Sequence, residues 1–445
     1  MSRDDIIQAK NKSLAHLKHI FGDDSETVIA AERYGFIGGL LKDTLKKPAV
    51  EKATTSDKID KVLVNRWAGI PIFLGVMYGM FQFVFTASAP LMDLIDGGFG
   101  WLGEQAAAVG GWGGSLLSEG IIGGVGSVLI FVPPIFLLFV AISILEDCGY
   151  LARAAFIMDR VMHRIGLHGR SFIPLMLGFG CTIPAVMACR TIENREDRLT
   201  TMLISPFISC GARLPIFVLI AGAFFTAHAG LVVFAMYMIG IGVAILSAWI
   251  LRKRLFHGVS GHFVMELPPY RMPAPQGVAI HMWERGRHFL KRAGTIIFGV
   301  VVLVWFLASM PWGVEYASAG SWLGHLGSFF APVFAPLGFG QWQAAASLIF
   351  GFLAKEVVIG TMGAIFAVEE GILGGALTTQ LGWTPLVAFS FMVFSLLYVP
   401  CVATVGIIRG EAGAKWAWFS IAYTCGVAWI AATLIYQIGR VIIGG

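Results

Sequence analysis

Three cysteines stand where a bilayer leaves a thiol little to do except bind or pack. Cys181 lies in GFGCTIPAVMACR, Cys210 in SPFISCGARLPIF, and Cys401 follows Pro400 in YVPCVATVG. These stretches are apolar enough to be buried in lipid, yet Gly180, Pro184, Pro206, Gly211, Pro215 and Pro400 interrupt them. Lipid offers no partner to a freed backbone group, so such interruptions normally mark a protein-lined substrate path. Soft sulfur favours thiophilic first-row metals over Mg²⁺ or Ca²⁺. A buried, inert thiol is the plain alternative. Both readings stay open for these three cysteines, whereas the inert one is favoured for Cys148, Cys189 and Cys425.

The acids divide in the same way. Glu146 and Asp147 directly follow the uncharged run Gly120 to Leu145, and Lys355-Glu356 interrupts another. A charge at a helix centre costs about 2.5–3.5 kcal/mol, so it is normally solvated, paired or functional. Glu146 and Asp147 fit the membrane interface as well as an ion site. Glu356 has the stronger claim to depth, with a structural pairing to Lys355 as its alternative. Arg213 is the sole charge between Leu199 and Leu251; a fixed cation repels a metal, so its expected task is to hold either the carbonyl end of a broken helix or a carboxylate. The histidines, including His163, His168, His228, His257, His262, His281 and His288, fall at span ends or in loops without HExxH spacing and are expected to be surface residues.

The elements that would position these groups are membrane helices. Hydrophobic residues make up 57% of 445 and charged residues 13%, with a mean hydropathy of +0.76, which indicates an all-α polytopic membrane protein. Trp67 to Met92, Gly120 to Leu145, Leu214 to Leu251, Ala293 to Val314 and Trp416 to Gly439 are uncharged and reach the roughly 20 residues that a bilayer core requires. The net charge of +5 belongs to loops and does not suggest nucleic acid. Residues 1–61 carry 11 Lys/Arg against 10 Asp/Glu and read as a cytoplasmic helical segment with no cleavable signal. Residues 62–120 read as a first transmembrane helix and an external loop. No Gly-Lys pair occurs, so the chain lacks a phosphate loop and is not expected to be an enzyme; any GTP or ATP site would lie in another chain.

Charge fixes orientation. The basic loop after Leu145 and the loop 252–292, with eight Lys/Arg against Glu266 and Glu284, are both cytoplasmic by the positive-inside rule. Three apolar segments lie between them, so one cannot cross. Phe172 to Ala188 is the expected re-entrant element, and Leu199 to Thr226 a helix broken near Pro206, Gly211 and Pro215. A similar order returns at Ile349 to Glu356 and Leu397 to Cys401, which makes 121–251 and 293–445 two repeats. Opposite orientation would place their substrate site at the midplane.

The series ERYGFIGGLLKDTL, TTSDKIDKVLVNRWAGIPIF, ILEDCGYLARAAFIMDR, GFGCTIPAVMACR, SPFISCGARLPIF, GFLAKEVVIGTMG and YVPCVATVG resembles the membrane domain of the ferrous iron transporter B family. The resemblance implies two inverted Gate-like repeats with re-entrant hairpins and broken helices, and Fe²⁺ as the transported ion with no tightly bound cofactor. It also implies a metal path through Cys181, Cys210, Cys401, Glu146, Asp147 and Glu356. Residues 1–61 resemble the end of that family's spacer, and its GTPase domain has no counterpart here. The expected partners are therefore the lipid bilayer of a prokaryotic cytoplasmic (inner) membrane, a separate GTPase subunit and small accessory proteins; a homo-oligomer is allowed. The alternatives are transport of another divalent metal or of an organic solute such as a nucleoside. The segments Phe172 to Ala188 and Leu199 to Thr226 contain no Asn, Gln, Asp or Glu, which disfavours the nucleoside. An intramembrane hydrolase lacks both GxSxG and HExxH.

Overall fold

A computed structural model of the chain describes residues 13–14, 32–37, 39–40, 55–65, 68–130, 132–167, 169–256, 269–289, 295–314, 316, 318–366 and 373–443. Most of residues 1–54, together with His168, His257, His262, Glu266, Glu315, Glu369 and Glu370, therefore lie outside the described residues. Residues 1–58 form one unit and 59–445 a second. The described residues of the second unit are all-α, and five helical segments are long and apolar enough to cross a membrane, or seven if two bent pairs count as spans.

After α1 (Thr55–Leu63) the chain enters α2, an unbroken helix of 39 residues from Gly69 to Ala107. This corrects the expected external loop after Ala89. Pro90 lies inside the helix and the glycines that follow do not unwind it, because Phe99 seats against Gly126 of α3 (Gly123–Leu129) and gives the distal half a packing partner. A π-helix, Leu116–Ile122, leads into α3. The expected single span from Ile121 to Leu145 is interrupted as well. Pro133 and Pro134 donate no N–H and suit a helix start, so α4 (Val132–Asp147) begins afresh. Gly149, at φ 81°, then takes the left-handed turn into α5 (Tyr150–Ile165), which is bent 77° from α4.

Two short helices follow, α6 (Phe172–Gly180) and α7 (Thr182–Ala188). They pack against each other, and Arg170 Nη1 meets Glu193 Oε1 at 2.7 Å across their base. The two ends of the segment therefore lie side by side. Next come α8 (Arg195–Ile204) and α9 (Leu214–Phe224), two halves of one broken span, and the long α10 (Ala229–Arg254). Asn194 caps α8 by accepting from Glu196 N at 2.8 Å and Asp197 N at 3.3 Å. Arg252, near the end of α10, donates to Gly166 O at 2.5 Å and pairs with Asp197 at 2.6 Å. That ion pair pins the ends of α5 and α10 to the start of α8.

The helix α11 (Pro275–Phe289) lies in the expected basic loop and packs on α4, with Gly286 against Phe136. The second half then repeats the order of the first: α12 (Thr295–Ser309), α13 (Trp322–Phe334), the short pair α14 (Trp342–Gly351) and α15 (Val357–Phe366), α16 (Leu373–Thr379), the broken α17 (Pro385–Leu397) and α18 (Val402–Ala412), and the long α19 (Ala414–Ile443). The sequence reading passed over α13, which is bent 99° from α14. Burial tracks the breaks rather than hydropathy. In Pro385–Ala412, 67% of the most apolar stretch is buried and in Arg195–Phe224 44%, against 22% for Gly69–Ala107, Thr226–Arg254 and Ala414–Ile442. The broken helices form the centre, and the long unbroken ones face outward.

Asp197 is fully buried and Arg252 nearly so, so removing one partner leaves an uncompensated charge, which typically costs about 3–5 kcal/mol. Arg252→Met is expected to lower stability in detergent denaturation on that scale, and Arg252→Met with Asp197→Leu to recover most of the loss. Equal destabilisation in the single and double variants would contradict this.

Candidate metal path at two helix breaks

Each motif cysteine occupies the extended residue at which a broken segment turns back into helix. Cys181 has φ −153° and ψ 132° between α6 and α7. Cys210 has φ −83° and ψ 162° before the 3-10 turn Gly211–Arg213 that opens α9, and Cys401 has φ −57° and ψ 152° before α18. The prolines explain the locations. Pro206 starts the 3-10 turn Ser205–Phe207 after α8, and Pro215 sits in the first turn of α9; neither can donate to a continuing helix. Pro400 does the same between α17 and α18. Pro184 lies in the first turn of α7, where a missing N–H costs nothing.

The breaks converge. A Cβ added at Gly211 would stand 3.5 Å from Gly180 O, and one at Gly178 would meet Ile208 at 3.3 Å, so the α6–α7 hairpin lies against the α8–α9 break. In the second half, Val402 N donates to Phe352 O at 3.0 Å, joining the α14–α15 turn to the α17–α18 break. Cys181 lies within electrostatic reach of Cys401, Cys210 and Glu356, and Cys401 of Cys210 and Glu356. Residues more than 200 positions apart thus share one electrostatic environment. Cys401 Sγ also lies 3.1 Å from Thr404 Oγ1, and the Glu356 carboxylate lies against the N–H groups of Glu356 and Lys355.

Arg213 holds the role expected of it: buried, it donates through Nη1 to Pro206 O at 3.0 Å and Ile208 O at 3.2 Å. Lys355 does not simply pair with Glu356. Its Nζ donates to Val399 O at 2.6 Å and lies 3.2 Å from the centre of the Tyr398 ring. Glu146 and Asp147 are exposed at the end of α4, which favours the interfacial reading over a place beside the cysteines. Cys148 and Cys189 give their thiols to the helix carbonyls Leu145 O and Ala185 O, each at 3.4 Å, as inert cysteines do. Cys425 differs from expectation, for it lies beside Val399 and Lys355; nothing in its local sequence signals this, since α19 is continuous there. Among the described residues, no group of three His, Cys, Asp or Glu side chains is arranged to hold a metal ion.

Sequence reasoning also missed Gly240. It lies mid-way along α10, where a Cβ would come 2.6 Å from Phe207 O, so only glycine lets α10 approach the unwound backbone.

The chain matches the Gate profile, described as nucleoside recognition, over residues 128–224 and 290–415. It matches the ferrous iron transport protein B C terminus over 233–285 and the FeoB cytosolic helical domain over 1–46. It is 42% identical to an Fe(2+) transport protein A/Fe(2+) transporter FeoB fusion protein of Porphyromonas gingivalis, over 98% of this chain and 58% of that protein. The chain belongs to the Fe(2+) transporter FeoB family. Two further relatives are the Fe(2+) transporters FeoB of Staphylococcus aureus strain COL, 42% identical over 92% of this chain and 63% of that one, and of Methanocaldococcus jannaschii, 40% identical over 94% and 64%. The chain therefore spans about three-fifths of the length of these FeoB relatives. The two Gate segments fall on the two halves of the fold, each containing one hairpin and one broken helix. No solved structure matches the chain.

The Gly240 contact gives a prediction specific to the break. Gly240→Ala is expected to cost about 1–3 kcal/mol through overpacking and to change the alkylation rate of Cys210, whereas Gly242→Ala, with open space around it, changes neither. Indistinguishable variants would contradict the close approach.

Proposed function

We propose that the chain carries Fe²⁺ across a prokaryotic cytoplasmic membrane, with Cys181, Cys210, Cys401 and Glu356 as successive ligands along a path between the two repeats. The observation that supports this most directly is that three thiols at helix breaks and one carboxylate lie within electrostatic reach of one another. Because no three of these side chains are arranged around one point among the described residues, the set suits a relay better than a storage cage: an ion exchanging between one or two sulfurs and a carboxylate binds tightly enough to enter and loosely enough to leave. Thiolates suit Fe²⁺ and other thiophilic metals, and the names of the relatives favour iron. The solute named in the Gate description gains no support, because recognition of a base or sugar requires convergent hydrogen bonders and the α6–α7 and α8–α9 segments contain no side-chain amide or carboxylate.

The same reading makes the N-terminal segment cytoplasmic, a docking piece for a separate GTPase. Small accessory proteins are further partners in it, as the fusion relative from P. gingivalis suggests. Inverted orientation of the repeats belongs to it too. Arg190, beyond α7, bonds Glu411 of α18, with Nε to Oε1 at 2.8 Å, so the end of α18 shares a face with the base of the first hairpin. Positive-inside bias makes that face cytoplasmic, with Arg409 and Lys415 on it.

Purified chain in liposomes with an entrapped Fe²⁺ indicator tests the activity. Cys210→Ser and Cys401→Ser are each expected to reduce entry by about tenfold or more, the scale on which weakened ligation shows in metal sites, while Cys189→Ser leaves it unchanged. Equal effects in all three would contradict a selective role. Orientation has its own test. Ala376, a natural choice for labelling, is buried, but Gln380 and Lys415 are exposed. Gln380→Cys is expected to react with an impermeant maleimide only from outside and Lys415→Cys only from the cytoplasm. The reverse pattern at either position would overturn the inverted arrangement.

A further inference from the structure

The two buried cations at the breaks present a problem that backbone capping alone does not solve. A carbonyl freed by unwinding in lipid must find a donor, but a hydroxyl, an amide or a water suffices. Burying a cation instead costs several kcal/mol of lost hydration. The chain accepts that cost twice, by different routes. Arg213 reaches back within its own broken span to Ile208 O, two residues before Cys210. Lys355 reaches from the neighbouring hairpin to Val399 O, two residues before Cys401. The residue type and its origin both differ, yet equivalent carbonyls end up occupied by a basic side chain. Lys355 is in electrostatic reach of Arg213, Cys401, Cys210 and Cys425, so both side chains bear on the sulfur path. Only 1–2% of each residue is exposed.

Hard cations are served by these very carbonyls. Na⁺ in transporters is coordinated by carbonyls of unwound helices, and Ca²⁺ takes six to eight oxygens, backbone carbonyls among them. We infer that Arg213 and Lys355 are specificity determinants: by occupying the carbonyls of Pro206, Ile208 and Val399 they deny hard cations their ligands and leave sulfur as the main way past. An ion unable to bond sulfur meets the Arg213 charge, and the carbonyls of Pro206, Ile208 and Val399 are already taken. A thiophilic ion offsets that repulsion with bonds to Cys210 and Cys401. This inference rests on the reading of those cysteines as a metal path.

Ca²⁺ entry into liposomes containing the full chain, an entrapped Ca²⁺ indicator and an entrapped anionic dye tests it. Arg213→Gln and Lys355→Met are expected to raise Ca²⁺ entry about tenfold or more over the unsubstituted chain while the dye is retained, and Arg213→Lys and Lys355→Arg to leave Ca²⁺ excluded. Unchanged Ca²⁺ entry in the neutral variants, or entry accompanied by dye loss, would overturn the inference. If neither neutral variant yields folded protein, Tyr398→Leu decides: loss of the ring beneath Lys355 Nζ is expected to admit Ca²⁺, and continued exclusion counts against the proposal. Fe²⁺ entry through the unsubstituted chain is measured in parallel. Its absence would defeat the transport reading, whereas the Ca²⁺ comparison judges the role of the two cations separately.

Discussion

Backbone carbonyls and amides released inside an apolar environment must be satisfied within the protein, and the architecture follows from how this chain meets that demand. The broken spans α8–α9 and α17–α18 are the most buried of the five candidate spans and occupy the centre, while α2, α10 and α19 surround them. Each break is then secured individually: Arg213 and Lys355 serve carbonyls, Val402 N finds Phe352 O, and Gly240 lets α10 close over Phe207. The short helices α6, α7, α14 and α15 have 7 to 10 residues each. At 1.5 Å per residue they reach about half the hydrocarbon thickness, which brings their turns to the depth of the breaks they touch.

Charge holds this arrangement at its edges as well. Arg252–Asp197 and Arg170–Glu193 close the first repeat on one face, and Arg190–Glu411 joins that face to the second repeat. At the same unit's margin, Arg153 clasps Asp60 of α1 with Nε to Oδ1 at 2.7 Å and Nη2 to Oδ2 at 3.1 Å, while the Tyr270 hydroxyl donates to Asp60 Oδ1 at 3.0 Å. Burial, and then the bond to Asp60, push the Tyr270 phenol up to about 12, so it remains a donor throughout the physiological range. The helix that leads into the membrane unit is thereby anchored to α5, the helix that follows the 77° bend.

Much of this was legible in the sequence because Pro, which cannot donate to a continuing helix, stands at the interruptions of the apolar runs. Pro206, Gly211 and Pro215 located the first broken span, parity of basic loops singled out 172–188 as the hairpin, and the isolation of Arg213 foretold its carbonyl partners. What escaped had no local signal. The Gly-rich stretch after Ala89 resembles a loop, and only the seat of Phe99 on Gly126 shows why it stays helical. Pro133 and Pro134 were visible, but hydropathy ran straight through them. Lys355 stands next to Glu356, which suggests a pair, while its true partner is 44 residues away at Val399. Gly240 and Cys425 lie in continuous helices and gain significance from what packs against them.

The central claim is that the sulfurs at the breaks bind the transported metal. X-ray absorption at the iron edge, on the full chain loaded anaerobically with Fe²⁺ in nanodiscs, tests it most directly. The account predicts one or two sulfur neighbours of iron, diminished when Cys210 and Cys401 are replaced together by Ser. Iron surrounded only by oxygen and nitrogen, with a spectrum indifferent to those replacements, would contradict it.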